Sequence, residues 1–457
     1  MRHGAKPYVD LKDFNFPGTY FLEFVEVHFV GAGDQAARIY DLALCIAAGL
    51  GMWLCSERRY WPKVGALCAA ALLTLFHLQD GLAQVGQRDF AIAALALIAC
   101  GAFLRLSRSY LLSLFVFEAF VGLAVTIKPT IFLLFWLPVI LRYDGERTSS
   151  RIKASITGVC GALLAPSLAL IWLFRNHALL GFMRDIQKLG AVHASLGRKS
   201  FVFLLVHSVS PVISLVLVCS ALTGLAAYKH IHIWSRSLRV VAFAALSGFV
   251  SYLCQGKGLS YQRYPLLGPL LLLCCIVLVK MIEQKDRSRY LSLAALTVFS
   301  FWFALQATSK TASYEALAPL ETELQTDLAA AQRLVPGRVQ CLDTYSGCLA
   351  TLYNMRQVQD TGYLYDCYFF TQDSQEQKEY RADFISAITA SLPGQIVITN
   401  QDCFAENAGF SRLDRWPQLA TLLQMHYKLY ESWQADRQYK LWSRSQKQPE
   451  FRIYILR

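Results

Sequence analysis

Long apolar runs separated by short polar loops fill the first two thirds of the chain. They fall at roughly 38–54, 64–79, 90–105, 110–127, 130–141, 155–174, 201–228, 240–254, 264–282 and 290–307. A helix needs about 20 apolar residues to cross a bilayer, so this pattern predicts about ten spans. The short run at 130–141 reads as a partial or tilted helix, which leaves the count open by one or two. Residues 1–37 hold no uninterrupted apolar stretch and no small-residue cleavage site, so they do not read as a signal peptide. Pro17 and Gly18 mark a turn there. Phe16, Tyr20, Phe24 and His28 recur every fourth residue, which predicts a short helix lying in the membrane interface. Beyond residue 308 the texture changes. Val339–Asp343, Gln395–Asn400 and Phe451–Leu456 read as strands, and Tyr345–Met355, Tyr380–Leu392 and Pro417–Met425 as helices. The expected fold is mainly α: a polytopic membrane helical bundle with a small α/β domain. Its segments are 1–37 (outer loop with interfacial helix), 38–307 (transmembrane domain) and 308–457 (extracytoplasmic α/β domain).

Composition agrees with the pattern. The 457 residues are 55% hydrophobic and 17% charged, too apolar for a soluble protein of this size. The 22 Tyr and 9 Trp suit interfacial belts. A net charge of +12 is explained by cytoplasmic Lys and Arg and gives no reason to expect nucleic acid. Arg58, Arg59 and Lys63; Arg105 and Arg108; Arg142, Arg147, Arg151 and Lys153; Lys229, Arg236 and Arg239; and Lys280, Lys285, Arg287 and Arg289 fall in alternate loops, which places those loops in the cytoplasm. Loops 80–89, 128–129 and 255–263, and everything after 308, then lie outside. The loop at 175–200 breaks the rule, since Arg175, Arg184, Lys188, Arg198 and Lys199 are also outside. This topology starts the chain outside with no apolar run before 38, as expected of a chain lacking its first span. Nine of the 13 cysteines lie in or beside apolar runs; Cys341, Cys348, Cys367 and Cys403 fall in the polar part. There a disulfide can form, or Cys341 and Cys348 can sit reduced in a core.

The outer loops carry the candidate chemistry. Arg88 and Asp89 stand in the polar stretch DGLAQVGQRDF between two apolar runs. Lys128, before Pro129, interrupts an apolar stretch and needs an anion or water nearby. Lys257 lies between two glycines, and Arg263 follows closely. One cationic cluster on one membrane face is the feature to explain; interfacial anchoring, a flexible turn at Lys257 and an N-cap role for Asp89 are the plainer readings. His77 and His207 read as hydrogen-bonded core residues and Glu118 as paired within the bundle. No metal-ligand spacing is evident.

The acidic N-terminal stretch PYVDLKDFNFP, the second acid in GQRDF, the segment VHFVGAGDQAARIYDLAL, many spans and an outer C-terminal domain together resemble the GT-C superfamily of integral-membrane glycosyltransferases. The likeness is to RgtA/B/C/D-like transferases, protein O-mannosyltransferases and the lipid A aminoarabinose transferase. It implies a polyprenyl-phosphate or -pyrophosphate sugar donor and a lipid, glycan or protein acceptor. It also implies chemistry on the outer face of a membrane, here the bacterial inner (plasma) membrane. Carried over residue by residue, it makes Asp10 or Asp13 the first-loop acid, with Asp89 as the second-loop acid. Arg88, Lys128, Lys257 and Arg263 become the donor-phosphate ligands. No cofactor is required, although some members use a divalent cation. Asp10 and Asp13 can equally be turn residues before Pro17. A transporter or flippase of a lipid-linked anion and a non-catalytic membrane protein remain alternatives; a transporter usually shows two similar halves, and no repeat is found.

Overall fold

The computed structural model describes residues 5–80, 84–106, 109–141, 148–230, 233–284, 287–311, 318–344, 346–370, 374–400, 409–435 and 448–457. In chain order the elements are α1 (Pro17–Val25), α2 (Asp34–Cys55), α3 (Tyr60–Asp80), α4 (Arg88–Arg105), α5 (Tyr110–Ile127), α6 (Leu137–Ile140), α7 (Thr148–Arg175), α8 (Leu179–Ser195), α9 (Phe201–Val209), α10 (Ile213–Tyr228), α11 (Arg236–Gln255), α12 (Tyr264–Glu283), α13 (Ser288–Thr311), α14 (Ala318–Leu334), β1 (Val339–Leu342), α15 (Cys348–Asn354), α16 (Gln375–Ser391), β2 (Gln395–Thr399), α17 (Pro417–His426), β3 (Tyr427–Gln434) and β4 (Glu450–Leu456). They form two compact units. One is helical, from Asn15–Trp172 and Arg198–Ser313. The other is α/β, from Met1–Phe14, Leu173–Gly197 and Tyr314–Arg457.

In the helical unit, seven helices among the described residues are long and apolar enough to cross a membrane, and a bent pair makes an eighth. The chain is an integral membrane protein. The difference from about ten expected spans has local causes. Residues 129–140 are a 3-10 segment, Pro129–Trp136, followed by the single turn of α6. Pro129 and Pro138 each lack an N–H and clash with the preceding turn, so no regular helix forms. The run at 201–228 is broken into α9 and α10, bent by 76°; Pro211 stands in the break. α4 spans 18 residues but carries Arg88 and Asp89 at its start and Arg105 at its end. Serine side chains start several helices: Ser109, Ser200 and Ser235 accept from Leu112, Phe203 and Leu238 N–H groups.

α12 is the central helix, with 78% of its span buried; α7 is peripheral, at 11%. The core gathers Phe76, Phe90, Phe103, Phe117 and Tyr264 with many alanines. Gly51 and Gly101 let α2 and α4 approach closely, since a side chain at either would meet Leu97 or Leu54. The expected stripe Phe16–Tyr20–Phe24–His28 is not one buried face. Tyr20 is buried with Gly18 and Thr19, whereas Phe24 is exposed and stacks on His28 at 5.1 Å. Gly18 sits against Thr126 and Ile127, and that close approach, not amphipathicity, sets which side of α1 faces inward.

The α/β unit is a four-stranded sheet in the order β1-β2-β4-β3. β1 and β2 are parallel, with Cys341 opposite Val397; β4 runs antiparallel to both β2 and β3. Alternate residues of β2 serve opposite faces. Ile396 and Ile398 pack with Phe369, Phe384, Ile388 and Trp416, and Val397 packs with Leu324, Leu328 and Ile453. Helices therefore cover both faces. β3 is a strand that the sequence pattern did not predict. Leu189 and Leu196, at and just after α8, join the first of these clusters. The stretch that broke the charge alternation is thus a helix of this unit rather than a short outer loop. Cys341 and Cys348 are joined by a disulfide, and Cys367 is also disulfide-bonded. Cys403 lies outside the described residues.

Candidate functional site

α4 begins at Arg88, so Asp89 is not the N-cap; that position is Gln87, with no side-chain cap. Asp89 stands in the first helical turn and is 1% exposed. α5 stops at Ile127 because Pro129 disfavours the helical region for the residue before it. The extended backbone of Lys128 marks that stop. Lys128 Nζ donates to Asp89 Oδ2 at 2.6 Å and Oδ1 at 2.9 Å, and to Gln255 Oε1 at 2.8 Å. Gln255 Nε2 returns a bond to Asp89 Oδ1 at 3.4 Å. The ring of Tyr261 lies 5.8 Å from the ammonium. The cation that needed an anion in an apolar stretch therefore finds Asp89, 39 residues away in sequence.

Gln255 ends α11, and Gly256 and Gly258 turn the chain with φ of +69° and +67°, a region that glycine enters without strain. Lys257 between them is buried. Burial, with Lys128 adding like charge, lowers its ammonium pKa to about 7. Arg88 donates to Asn15 Oδ1. Asp89, Lys128 and Lys257 thus gather with Arg88 at one end of the helical unit. Arg263 is engaged differently. It donates to Ser260 O and His207 O at 3.2 Å and to Ser210 Oγ at 3.4 Å, and lies over the ring of Phe76, tying its turn to the end of α9.

Asp10 and Asp13 belong to the α/β unit. Asp10 Oδ2 accepts the N–H of Lys6 at 2.7 Å, closing a turn. Asp13 is buried, and its N–H donates to Asp185 Oδ2 at 3.3 Å. Burial raises the Asp185 carboxyl, although Arg184 and Lys12 pull it down. The N–H of Lys12 donates to Gly362 O, so the segment is bonded into its own unit.

A second constellation was missed. Asp41 on α2 and His77 on α3 are bonded, with His77 Nε2 2.9 Å from both carboxylate oxygens. His77 Nδ1 lies 2.8 Å from Tyr264 Oη on α12, and the N–H of Gly86 donates to Asp41 Oδ1 at 2.9 Å. Phe90 stacks on the His77 ring at 4.2 Å. Cys45 stands one turn along α2 from Asp41; carboxylate, thiol and imidazole ligand atoms lie within 4.8 Å of one another. No spacing along the sequence announces this group, because it is assembled from two helices. The one local signal was Asp41 and Cys45 at i, i+4; the third residue comes from another helix. Glu118 also departs from expectation: its buried Oε2 has no hydrogen-bond partner among the described residues. It faces an apolar cleft of about 290 Å³ with Tyr110, Phe135 and Gly158.

No protein-family model matches the sequence, and no curated protein matches it. Among solved structures the chain is similar to the crystal structure of the Archaeoglobus fulgidus oligosaccharyltransferase tethered through a disulfide to an acceptor peptide containing the NVT sequon. The two are 13% identical, with a TM-score of 0.47 over 96% of this chain and 67% of that one.

Proposed function

We propose that the chain is a membrane glycosyltransferase of the GT-C kind, moving a sugar from a polyprenyl-phosphate donor to a lipid, glycan or protein acceptor. The observation that carries this reading is the pair of buried Asp89 and half-buried Lys128, with Lys257 and Arg88 gathered at the same end of the bundle. Transfer needs a base for the acceptor proton and positive charge where the leaving phosphate gathers its own. Asp89 and Lys128 divide these needs between them. In the resting site Lys128 neutralises Asp89; an arriving phosphate competes for the same ammonium and frees the carboxylate. The acceptor oxygen or nitrogen then attacks the anomeric carbon, the bond to the phosphate oxygen breaks, and the acceptor proton passes to Asp89. Lys257 and Arg88 share the phosphate charge.

The same reading puts this end of the bundle and the α/β unit outside the cytoplasm, at the bacterial plasma membrane. The Cys341–Cys348 disulfide supports it, since disulfides persist in oxidising compartments. The test is sugar transfer in membranes supplied with a radiolabelled polyprenyl-phosphate sugar. Asp89→Asn keeps the shape of the side chain and should lower turnover by roughly ten- to ten-thousand-fold. Full activity in that variant would reduce the Asp89–Lys128 pair to a clamp between helices.

A further inference from the structure

The Asp41–Cys45–His77 constellation is not used by the proposed transfer. Its ligand set is a carboxylate oxygen, a thiol sulfur and an imidazole nitrogen within 4.8 Å of one another. Ligands around one tetrahedral zinc ion stand about 3–4 Å apart, so small side-chain rotations close the gap. Two ligands come from one face of α2 and the third from α3. The outer bonds are those a metal site requires. Tyr264 Oη at His77 Nδ1 fixes the ring so that Nε2 faces the carboxylate, and the Gly86 N–H holds Asp41.

A second, independent observation concerns charge and polarity around these ligands. Tyr40, beside Asp41, is 7% exposed and its hydroxyl has no hydrogen-bond partner among the described residues. Its ring and the Glu26 carboxylate both flank Gly86, the residue whose N–H holds Asp41. Among the described residues no lysine or arginine pairs with Asp41 or Glu26. Two carboxylates and a hydroxyl thus collect around these ligands, where among the described residues His77 and the Gly86 N–H are the partners of Asp41.

We propose that Asp41, Cys45 and His77 bind one divalent transition cation, with zinc the best match to oxygen, sulfur and nitrogen ligands together. On binding, the Cys45 thiol proton is released to solvent, the ring proton of His77 sits on Nδ1 toward Tyr264 Oη, and the ion takes the place between the three ligand atoms. This site stands whether or not the chain transfers sugars.

The test uses the full chain, without a polyhistidine tag, in lipid nanodiscs, stripped of metal and titrated with Co2+ as a spectroscopic probe for zinc. One Co2+ per chain is expected, with visible bands of a tetrahedral site and a thiolate charge-transfer band that Cys45→Ser removes. His77→Gln should abolish stoichiometric binding, and Tyr264→Phe should weaken it about 10–100-fold, the usual cost of losing an outer-shell partner. Circular dichroism of each variant checks the fold. Should a variant fail to fold, the wild-type spectrum alone decides. No bound Co2+ in the wild type, or equal binding in folded His77→Gln, overturns the proposal.

Discussion

Lys128 Nζ stands 2.6 Å from Asp89 Oδ2 and 2.8 Å from Gln255 Oε1, so one ammonium joins the ends of α4, α5 and α11. Breaking the pair leaves a buried carboxylate uncompensated. Asp89→Asn and Lys128→Met should each cost about 1.5–3 kcal/mol, the range for hydrogen bonds to charged groups. The double variant should cost less than the sum, because neither charge is then stranded. Thermal unfolding of the four proteins in nanodiscs measures the coupling; strict additivity would mean the two side chains act separately.

Lys257 gives the site a pH dependence. Its ammonium loses its proton near pH 7 in the folded state, against 10.5 for an ordinary lysine. Two consequences follow from that depression. Between about pH 7 and 10.5 the unfolded chain binds the extra proton, so this residue's contribution to stability rises with pH there. Attraction for a phosphate is present below pH 7 and fades above it. The donor KM should therefore rise between pH 6 and pH 8 in the wild type, while Lys257→Arg, which keeps its charge, should flatten the rise. An unchanged KM across that range would remove Lys257 from the donor site.

In the α/β unit, Arg412 and Asp366 are paired at 3.2 Å with both side chains at most 1% exposed. Thr344 Oγ1 also donates to Asp366, and Arg412 reaches Leu342 O at the end of β1. Asp366→Ala should cost roughly 3–5 kcal/mol by stranding the guanidinium. Hydrogen exchange on the full chain should show faster exchange in β1 and β2 and little change in α12. Uniform protection would contradict it.

The orientation proposed for the α/β unit is checked with protease on intact spheroplasts. Loss of the stretch from Tyr314 onward without lysis is the expected result. Cleavage only after lysis would turn the topology over.

The helical unit was legible because membrane spans announce themselves in composition and need no knowledge of their neighbours. The break at Pro129 showed between two runs, but the runs did not reveal that Pro138 and Pro211 would break them further. β1, β2 and β4 were legible as β-branched runs. β3 was not: it lies at the sheet edge, exposes Lys428, Leu429, Glu431 and Ser432, and carries a register shift between Leu429 and Glu431 that spoils alternation. The placement of Asp89 and Lys128 in outer loops was readable, but their pairing was not, because it joins residues far apart in sequence. Asp41 and His77 stayed hidden for the same reason. Each looks like a single polar residue in an apolar helix until α2 and α3 are packed.

β4 follows the other three strands in chain order, yet it lies between β2 and β3 and supplies hydrogen bonds to both. During synthesis the ribosome releases Glu450–Leu456 after the three strands it must join. Until then β2 and β3 share no partner, and the two earlier contributions at Met1–Phe14 and Leu173–Gly197 wait for a sheet that is not closed. A chain broken off before Glu450 would therefore leave open the edges of β2 and β3 that β4 covers, for chaperones and quality-control proteases to find.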